Sequence, residues 1–303
     1  MDGIIPLWKE RGMTSHDCVN ALRKLLKTRR VGHTGTLDPN VSGVLPICVN
    51  KATKMANWIT DKEKVYQGEI TLGFQTETED LDGKIVRQTP VKEAVDGQLI
   101  QKAMDSMLGT ITQVPPMYSA VKVNGRKLYD YARHGEKVDR PKRLVNVYEF
   151  DLIKPCRYDQ GQQVQSFNFR VRCGKGTYVR TLASDLGEAL GYAATMTDLS
   201  RIASSPFTQS QCFTLSEIED QISQGKNDFI FPIDFLIQDL VHIEISGKLE
   251  KLVSNGAVLN KNNLAEEYRD QLPVAFYGQQ GLMAIYGQHP SDEEQMKPLK
   301  MLI

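Results

Sequence analysis

The sequence predicts an α+β fold, and three observations carry that prediction. Two stretches alternate with the two-residue period of a strand. In "KVYQGEITLG", Tyr66, Gly68, Ile70 and Leu72 share one face, and Gln67, Glu69 and Thr71 the other; in Val164–Cys173, Phe167, Phe169, Val171 and Cys173 oppose Arg170 and Arg172. Two other stretches repeat apolar residues at helical spacing: Cys18, Val19, Leu22, Leu25 and Leu26 after Ser15, and Val179, Leu182, Ala183, Leu186 and Leu190 after "GKGT". The strands meander and do not alternate regularly with helices, which favours α+β over a doubly wound sheet.

In chain order, Ser15 is placed to cap the first helix. The loop "RRVGHTGTLDPNVSG" (Arg29 to Gly43) leads into the apolar run "VLPICV", read as a buried strand, and Ala52, Met55, Ala56 and Ile59 mark a second helix. "TETEDLDG" reads as an acidic turn. A helix is expected over Gln98–Leu108, with Leu99, Ile100, Ala103, Met104, Met107 and Leu108 inward and Gly109 as its stop. "QVPPMYSAVKVNGRKLYDYARHG" gives a break, a short strand-like piece and a short helix; a strand over Val145–Ile153 follows. "TLSE" (Thr214 to Glu217) fits a capping box. Near Phe235–His242 the character changes. A short helix around Lys248–Val253 and a hairpin flanking Gly278–Gly281 suggest a small β-rich module over 239–303, after a larger domain over 1–238.

The 303 residues are 41% hydrophobic and 24% charged, ordinary for a soluble globular protein. No apolar run is long enough to span a bilayer, and "MDGIIPLWKERG" lacks the features of a signal peptide, so a cytoplasmic protein without a membrane partner is expected. The five cysteines form no C-x-x-C pair and the five histidines show no ligand spacing. No metal or other cofactor is expected. The absence of a coiled-coil pattern leads to the expectation of a monomer.

Net charge is zero, which argues against a general nucleic-acid coat. The charges are nonetheless clustered. Arg23, Lys24, Lys27, Arg29 and Arg30 precede the Asp38 loop, and eight basic residues lie between Lys122 and Arg143, among them Arg126, Lys127, Lys142 and Arg143. Such runs are commonly solvated faces. Tyr118, Tyr129 and Tyr131 beside the second cluster shift the reading toward RNA.

Asp38 stands in a loop crowded with Gly, Thr and Pro. Pro39 pushes it toward an extended conformation, and Thr34 and Thr36 can hydrogen-bond the loop to itself. Two readings are open, an Asp that caps a turn and a carboxylate held rigidly for chemistry, and the pattern alone favours the first, since Asp is common in turns. "GKGT" lacks the full spacing of a phosphate loop. Arg180, in the first turn of the helix that follows, opposes the helix dipole; a carboxylate neighbour would account for it, while an exposed arginine is the default reading. Taken singly, His33 and Tyr66 are better explained by structure than by function.

In combination these stretches carry a family pattern. "GHTGTLDPNVSGVLPICVNKATK" resembles the signature of the bacterial tRNA pseudouridine synthase B family. "KVYQGEITLG", "TETEDLDG", "PPMYSAVKVNGRKLYDYARHGE", "GTYVRTLASDLG" and "LSRIASSPF" continue the match in order, and the tail is similar to a PUA module. Asn50 and Glu77 depart from the residues common at those positions.

The resemblance implies a pseudouridine synthase domain built on a central mixed or antiparallel sheet flanked by helices. It implies conversion of uridine 55 in the T loop of tRNA to pseudouridine, the base being flipped out, detached from ribose C1′ and rejoined through C5, with no cofactor. By the same resemblance Asp38 is the catalytic carboxylate and Tyr66 stacks on the flipped uracil and helps remove the C5 proton. Arg180 pairs with the catalytic aspartate, Tyr178 and Leu199 pack around the base, and His33 enters the opened T loop. The 122–143 segment, with Arg126, Lys127 and Arg143, becomes an RNA-gripping insertion, and the C-terminal module holds the acceptor-stem side. An RNA chaperone that opens tRNA is the competing reading, and it has no need of Asp38.

Overall fold

The Lys64–Leu72 strand lies between two long antiparallel neighbours, Ala194–Ser204 and Val164–Cys173. The structure is a computed structural model and describes residues 2–153 and 155–303. It divides into two units: Met1–Asp38, Leu45–Thr60 and Ser210–Ile303 form one, Pro39–Val44 and Asp61–Gln209 the other.

In the second unit the sheet runs on from Val164–Cys173 to Arg143–Leu152 and Gly109–Gln113, each pairing antiparallel. Ser42 and Gly43 pair in parallel with Ser200 and Arg201, which makes the sheet mixed. Directly opposed residues share a face, so Tyr66, Gly68 and Ile70 lie with Val171, Phe169 and Phe167. This is the apolar face. Ile70, Leu72, Phe167, Phe169 and Val171 are fully buried, as are Ile100 and Met104 from the Gly97–Asp105 helix and Leu182 and Leu186 from the Val179–Leu190 helix. Each such side chain contributes roughly 1.5–3 kcal/mol by leaving water. The other face is polar: Thr71 bonds Ser166 and Thr197, and Arg172 bridges Glu63 and Glu149.

The Ala194–Ser204 strand shifts register twice against Lys64–Leu72, between Met196 and Asp198 and between Arg201 and Ala203. Thr197 and Ile202 are the extra residues, and such bulges bend a strand and re-aim its side chains. Gly68 faces Leu199 between them. A Cβ there would overlap the Asp198 carbonyl oxygen, so this close approach needs glycine. Gly43, at φ 135°, meets the Arg201 backbone in the same way.

The helix expected over Gln98–Leu108 is shorter, Gly97–Asp105, with Asp96 accepting the Gln98 N–H as its cap. Its buried stripe narrows to Ile100 and Met104, one turn apart, and Met107 is buried just past the helix end. Leu99, one position off that stripe, is 57% exposed, and Leu108 lies past the helix end and is also exposed.

In the first unit the Ser15–Leu25 helix is capped by Thr14, one residue before the expected cap, in a reciprocal box with Asp17. The expected box at Thr214 and Glu217 is present. Val31–His33 pairs antiparallel with the latter part of the Ser42–Val49 strand, and a 3-10 turn (Asn50–Met55) leads into a short helix, Ala56–Thr60. From residue 241 onward five strands pair in the order Val241–Glu244, Val274–Gly278, Gly281–His289, Asp292–Met301, Leu259–Asn260. The expected hairpin joins the second and third of these. Val253, Leu264, Val274, Phe276, Tyr286 and Met296 form a hydrophobic cluster beneath them. Among the described residues no helix is long and apolar enough to cross a membrane.

Candidate active site

The stretch from His33 to Asp38 belongs to the first unit and is tied down at Thr34 and Leu37. The Thr34 N–H and hydroxyl both donate to the Pro46 carbonyl at 3.1 Å, and the Thr60 hydroxyl donates to the Thr34 carbonyl at 3.0 Å. Thr34 thus bonds the neighbouring strand and helix. Ser15, displaced from its expected capping role, serves the loop instead. Its hydroxyl accepts the Leu37 N–H at 2.9 Å and donates to the Leu37 carbonyl at 3.2 Å. Leu37 is buried, so both backbone groups of the residue preceding Asp38 are satisfied by one side chain. His33 ends the Val31–His33 strand, and its Nδ1 accepts the Gly35 N–H at 3.4 Å. His33 and Asp38 are half-buried.

The second unit holds Tyr66, Tyr178, Arg180 and Leu199. Tyr66 and Leu199 lie on the same face of adjacent strands, in register with Arg201 and Gly68 respectively. Tyr178 is the N-cap of the Val179–Leu190 helix and makes no side-chain capping bond. Gln113 fixes the cap residue's backbone: its amide accepts the Tyr178 N–H at 2.8 Å and donates to the Tyr178 carbonyl at 3.0 Å, which also accepts the Leu182 N–H. Arg180 is 8% exposed. Its guanidinium donates to the Thr78 carbonyl, the Asp80 carboxylate and the Tyr118 carbonyl at 3.0–3.1 Å.

Asp80 is a residue that sequence reading passed over as part of an acidic turn. That turn is a scaffold. The Asp80 carboxylate takes Arg180 on one oxygen, and the Thr78 hydroxyl and the Asp82 N–H on the other. Asp82 in turn accepts from the Asn40 side chain at 2.6 Å, two residues after Asp38 in the chain. The adjoining "TETED" pattern of alternating Thr and acid was the available signal, since an Asp bonding its own turn is a common Asx device.

The segment from Lys122 forms a two-stranded ribbon (Lys122–Val123 with Arg126–Lys127) and a short helix, Leu128–Arg133. Arg126 is bidentate to Glu136 and lies 4.3 Å over the Tyr131 ring; Lys127 and Arg133 both lie 5.1 Å over Tyr129. The basic residues therefore stack on tyrosines, of which Tyr131 is buried, its hydroxyl donating to the Val123 carbonyl. Arg143 is separate from them, exposed at the start of the Arg143–Leu152 strand opposite Gln113.

Two buried cations lie near Tyr66 on its own face. Arg201, 2% exposed, donates from Nε to the Val44 carbonyl at 2.7 Å, and Ser42 and Ser200 share a hydroxyl–hydroxyl bond of 2.7 Å. Lys64 donates to the Lys62 carbonyl, and burial, with the Arg201 charge adding, pulls its pKa down to about 8. Burial pushes the Cys48 thiol up to about 12 and the Cys173 thiol up to about 11, so neither is a thiolate nucleophile at neutral pH.

Comparison with known proteins gives these sites a context. The model described as TruB family pseudouridylate synthase (N terminal domain) matches residues 23–179, and that of the tRNA pseudouridylate synthase B C-terminal domain matches residues 180–239. Curated relatives include the tRNA pseudouridine synthase B of Geobacillus thermodenitrificans, 49% identical over 99% of each chain. That of Halalkalibacterium halodurans is 45% identical over 100% of this chain and 98% of its own. Among solved structures, a chain of a Cbf5-Nop10-Gar1 complex superposes with a TM-score of 0.73 at 26% identity, covering 99% of this chain and 85% of that one. The chain belongs to the TruB family of pseudouridylate synthases. It is accordingly an isomerase of the pseudouridine synthase class, on the α+β fold that the sequence predicts.

Proposed function

We propose that the chain converts uridine 55 in the T loop of tRNA to pseudouridine, with Asp38 as the catalytic carboxylate. The observation that carries this reading is the immobilisation of Leu37 by Ser15, because it fixes the backbone entering Asp38 from inside a buried strand-and-helix framework. A turn-capping aspartate needs no such support.

In the reaction the target uracil leaves the stack, since its reacting atoms are unreachable within it. The C1′–N1 bond breaks, the carboxylate meets the electron deficiency left by its cleavage, the base turns, and C5 bonds C1′. The C5 proton is then lost and N1 gains one, so the change is an isomerisation with no net redox step. Tyr66 stacks on the base and assists removal of the C5 proton. Arg180 pairs with the carboxylate and orients it, Tyr178 and Leu199 pack about the base, and His33 enters the opened loop. Arg126, Lys127 and Arg143 track phosphates, and residues 239–303 act as a PUA-like module on the acceptor-stem side. The relatives' names, tRNA pseudouridine synthase B, support tRNA as the substrate.

The test is tritium release from tRNA transcribed with 5-tritiated uridine, comparing wild type with Asp38→Asn. Release from one T-loop uridine, lost in the variant while tRNA remains bound, is expected. Equal release from both proteins would remove Asp38 from the chemistry. No release from either, with tRNA bound, would favour an RNA chaperone.

A further inference from the structure

The acidic turn and the start of the Val179–Leu190 helix meet through three consecutive residues on one side and two on the other. The Thr78 carbonyl and the Asp80 carboxylate hold Arg180. Between them, the Glu79 carboxylate accepts the Thr181 hydroxyl at 2.7 Å. Glu79 stands in the left-handed region, at φ 64°, a conformation that glycine or asparagine takes at less cost. Its backbone is fixed as well: its N–H donates to the Thr76 carbonyl at 3.2 Å and its carbonyl accepts the Met196 N–H at 3.1 Å.

A strained backbone kept under a long acidic side chain points to a use for that side chain. Burial raises the Glu79 pKa. The Thr181 hydroxyl and the Arg180 charge act against that rise, Asp185 adds to it, and Arg140 opposes it. The helix it grips also lacks an N-cap side chain of its own. Its first turn is therefore set from outside, by Gln113 at Tyr178 and by Glu79 at Thr181.

We propose that Glu79 is a positioning residue for the isomerisation, clamping the first helical turn through Thr181 so that Arg180 holds its working orientation. This rests on the proposed function. Glu79 touches Thr181 and leaves the direct hold on Arg180 to its neighbours, so its effect falls on turnover and spares tRNA binding.

The experiment measures kcat and KM for tRNA by tritium release in wild type, Glu79→Gln, Glu79→Ala, Thr181→Val and the Glu79→Ala/Thr181→Val double variant, with thermal melting as a check on folding. Loss of the hydrogen bond is expected to lower kcat about tenfold in Glu79→Ala and Thr181→Val, with KM within about twofold of wild type. The double variant should be no worse than the worse single one, because both remove one bond. Glu79→Gln keeps an acceptor and should recover most of the loss. Unchanged kcat in Glu79→Ala, multiplicative losses in the double variant, or Glu79→Gln as poor as Glu79→Ala would each overturn the proposal. If Glu79→Ala fails to fold, Glu79→Gln and Thr181→Val still decide it. A wild type that binds tRNA and releases no tritium would overturn the isomerase reading itself, a result distinct from active wild type with indifferent variants.

Discussion

Gln113 and Tyr178 exchange two hydrogen bonds, the side-chain amide of one closing a ring on the backbone N–H and carbonyl of the other. Gln113 is 2% exposed, so no water can replace it readily. Truncation to alanine leaves the Tyr178 N–H without its partner, at about 1–3 kcal/mol, while the Tyr178 carbonyl keeps the Leu182 N–H. Gln113→Ala is expected to unfold at clearly lower urea concentration, while Gln113→Glu, which keeps the acceptor and loses the donor, falls between it and wild type.

Asp80→Asn keeps the shape of the turn and removes the charge facing Arg180. Both side chains are largely buried, so the interaction is little screened. Turnover should fall by about tenfold to a hundredfold, the range for hydrogen bonds to charged groups, while filter binding of tRNA changes little. Wild-type turnover in this variant would mean that Arg180 is held well enough by the Thr78 and Tyr118 carbonyls alone.

Gly68→Ala drives a methyl group into the Asp198 carbonyl between two bulges. Overpacking of this kind costs about 1–3 kcal/mol. Because Leu199 faces Gly68, the relaxation also displaces a proposed base-packing residue. A lowered melting temperature together with lowered tritium release is expected, and a change in neither would show that the strands can part locally without consequence.

Lys64 makes stability depend on pH. Its pKa is lowered from 10.5 to about 8 by burial first and the Arg201 charge second. Between those values the unfolded chain binds more protons at this position than the folded one, so stability rises as pH increases from about 8 to 10.5. The full difference corresponds to on the order of 3 kcal/mol. Lys64→Met should flatten this part of the profile, read as the difference between wild type and variant in urea melts across that range. A wild-type-minus-variant difference that does not change with pH would mean that Lys64 is ordinary in the folded state.

The tRNA-facing role of the insertion has its own signature. Reversing Arg126, Lys127 and Lys142 should weaken tRNA binding and reduce its salt dependence, since each lost phosphate contact lowers the slope of log K against log salt by roughly one. Unchanged affinity and slope would place the RNA elsewhere. Arg126 is bidentate to Glu136, so its reversal also breaks an ion pair, and Lys142→Glu alone supplies the cleaner comparison.

Local pattern was enough to find several strands of the sheet, though it missed Ala194–Ser204 and Gly109–Gln113. The Val164–Cys173 strand, the Thr214 capping box and the hairpin at Gly278–Gly281 all follow from short-range rules that hold wherever the segment lies. Ser15 shows the limit. Two adjacent hydroxyl residues could cap the first helix, and which one does depends on Leu37, 22 residues further on, which claims the other. Leu99 fails for a related reason, because periodicity says where apolar residues recur and not how wide a stripe the partner layer covers. The ion pair of Asp80 with Arg180 joins positions 100 residues apart, and no spacing rule reaches that far. Family resemblance supplied the proposed roles of the site residues; the physical supports beneath them, Ser15 and Gln113 among them, are visible only in the folded structure.

The parallel pairing of Ser42 and Gly43 with Ser200 and Arg201 has a consequence for synthesis. Ser42 and Ser200 are 158 residues apart in the chain, and at roughly 5–20 residues per second a ribosome needs about 8 to 30 s to make the second after the first. Through that interval the Lys64–Leu72 strand also lacks its Ala194–Ser204 neighbour. Nascent chains therefore carry open hydrogen-bonding edges until late in translation, the condition under which strands pair with the wrong chain. A product stalled before Ala194, with that edge still open, should aggregate or be degraded sooner than the full chain.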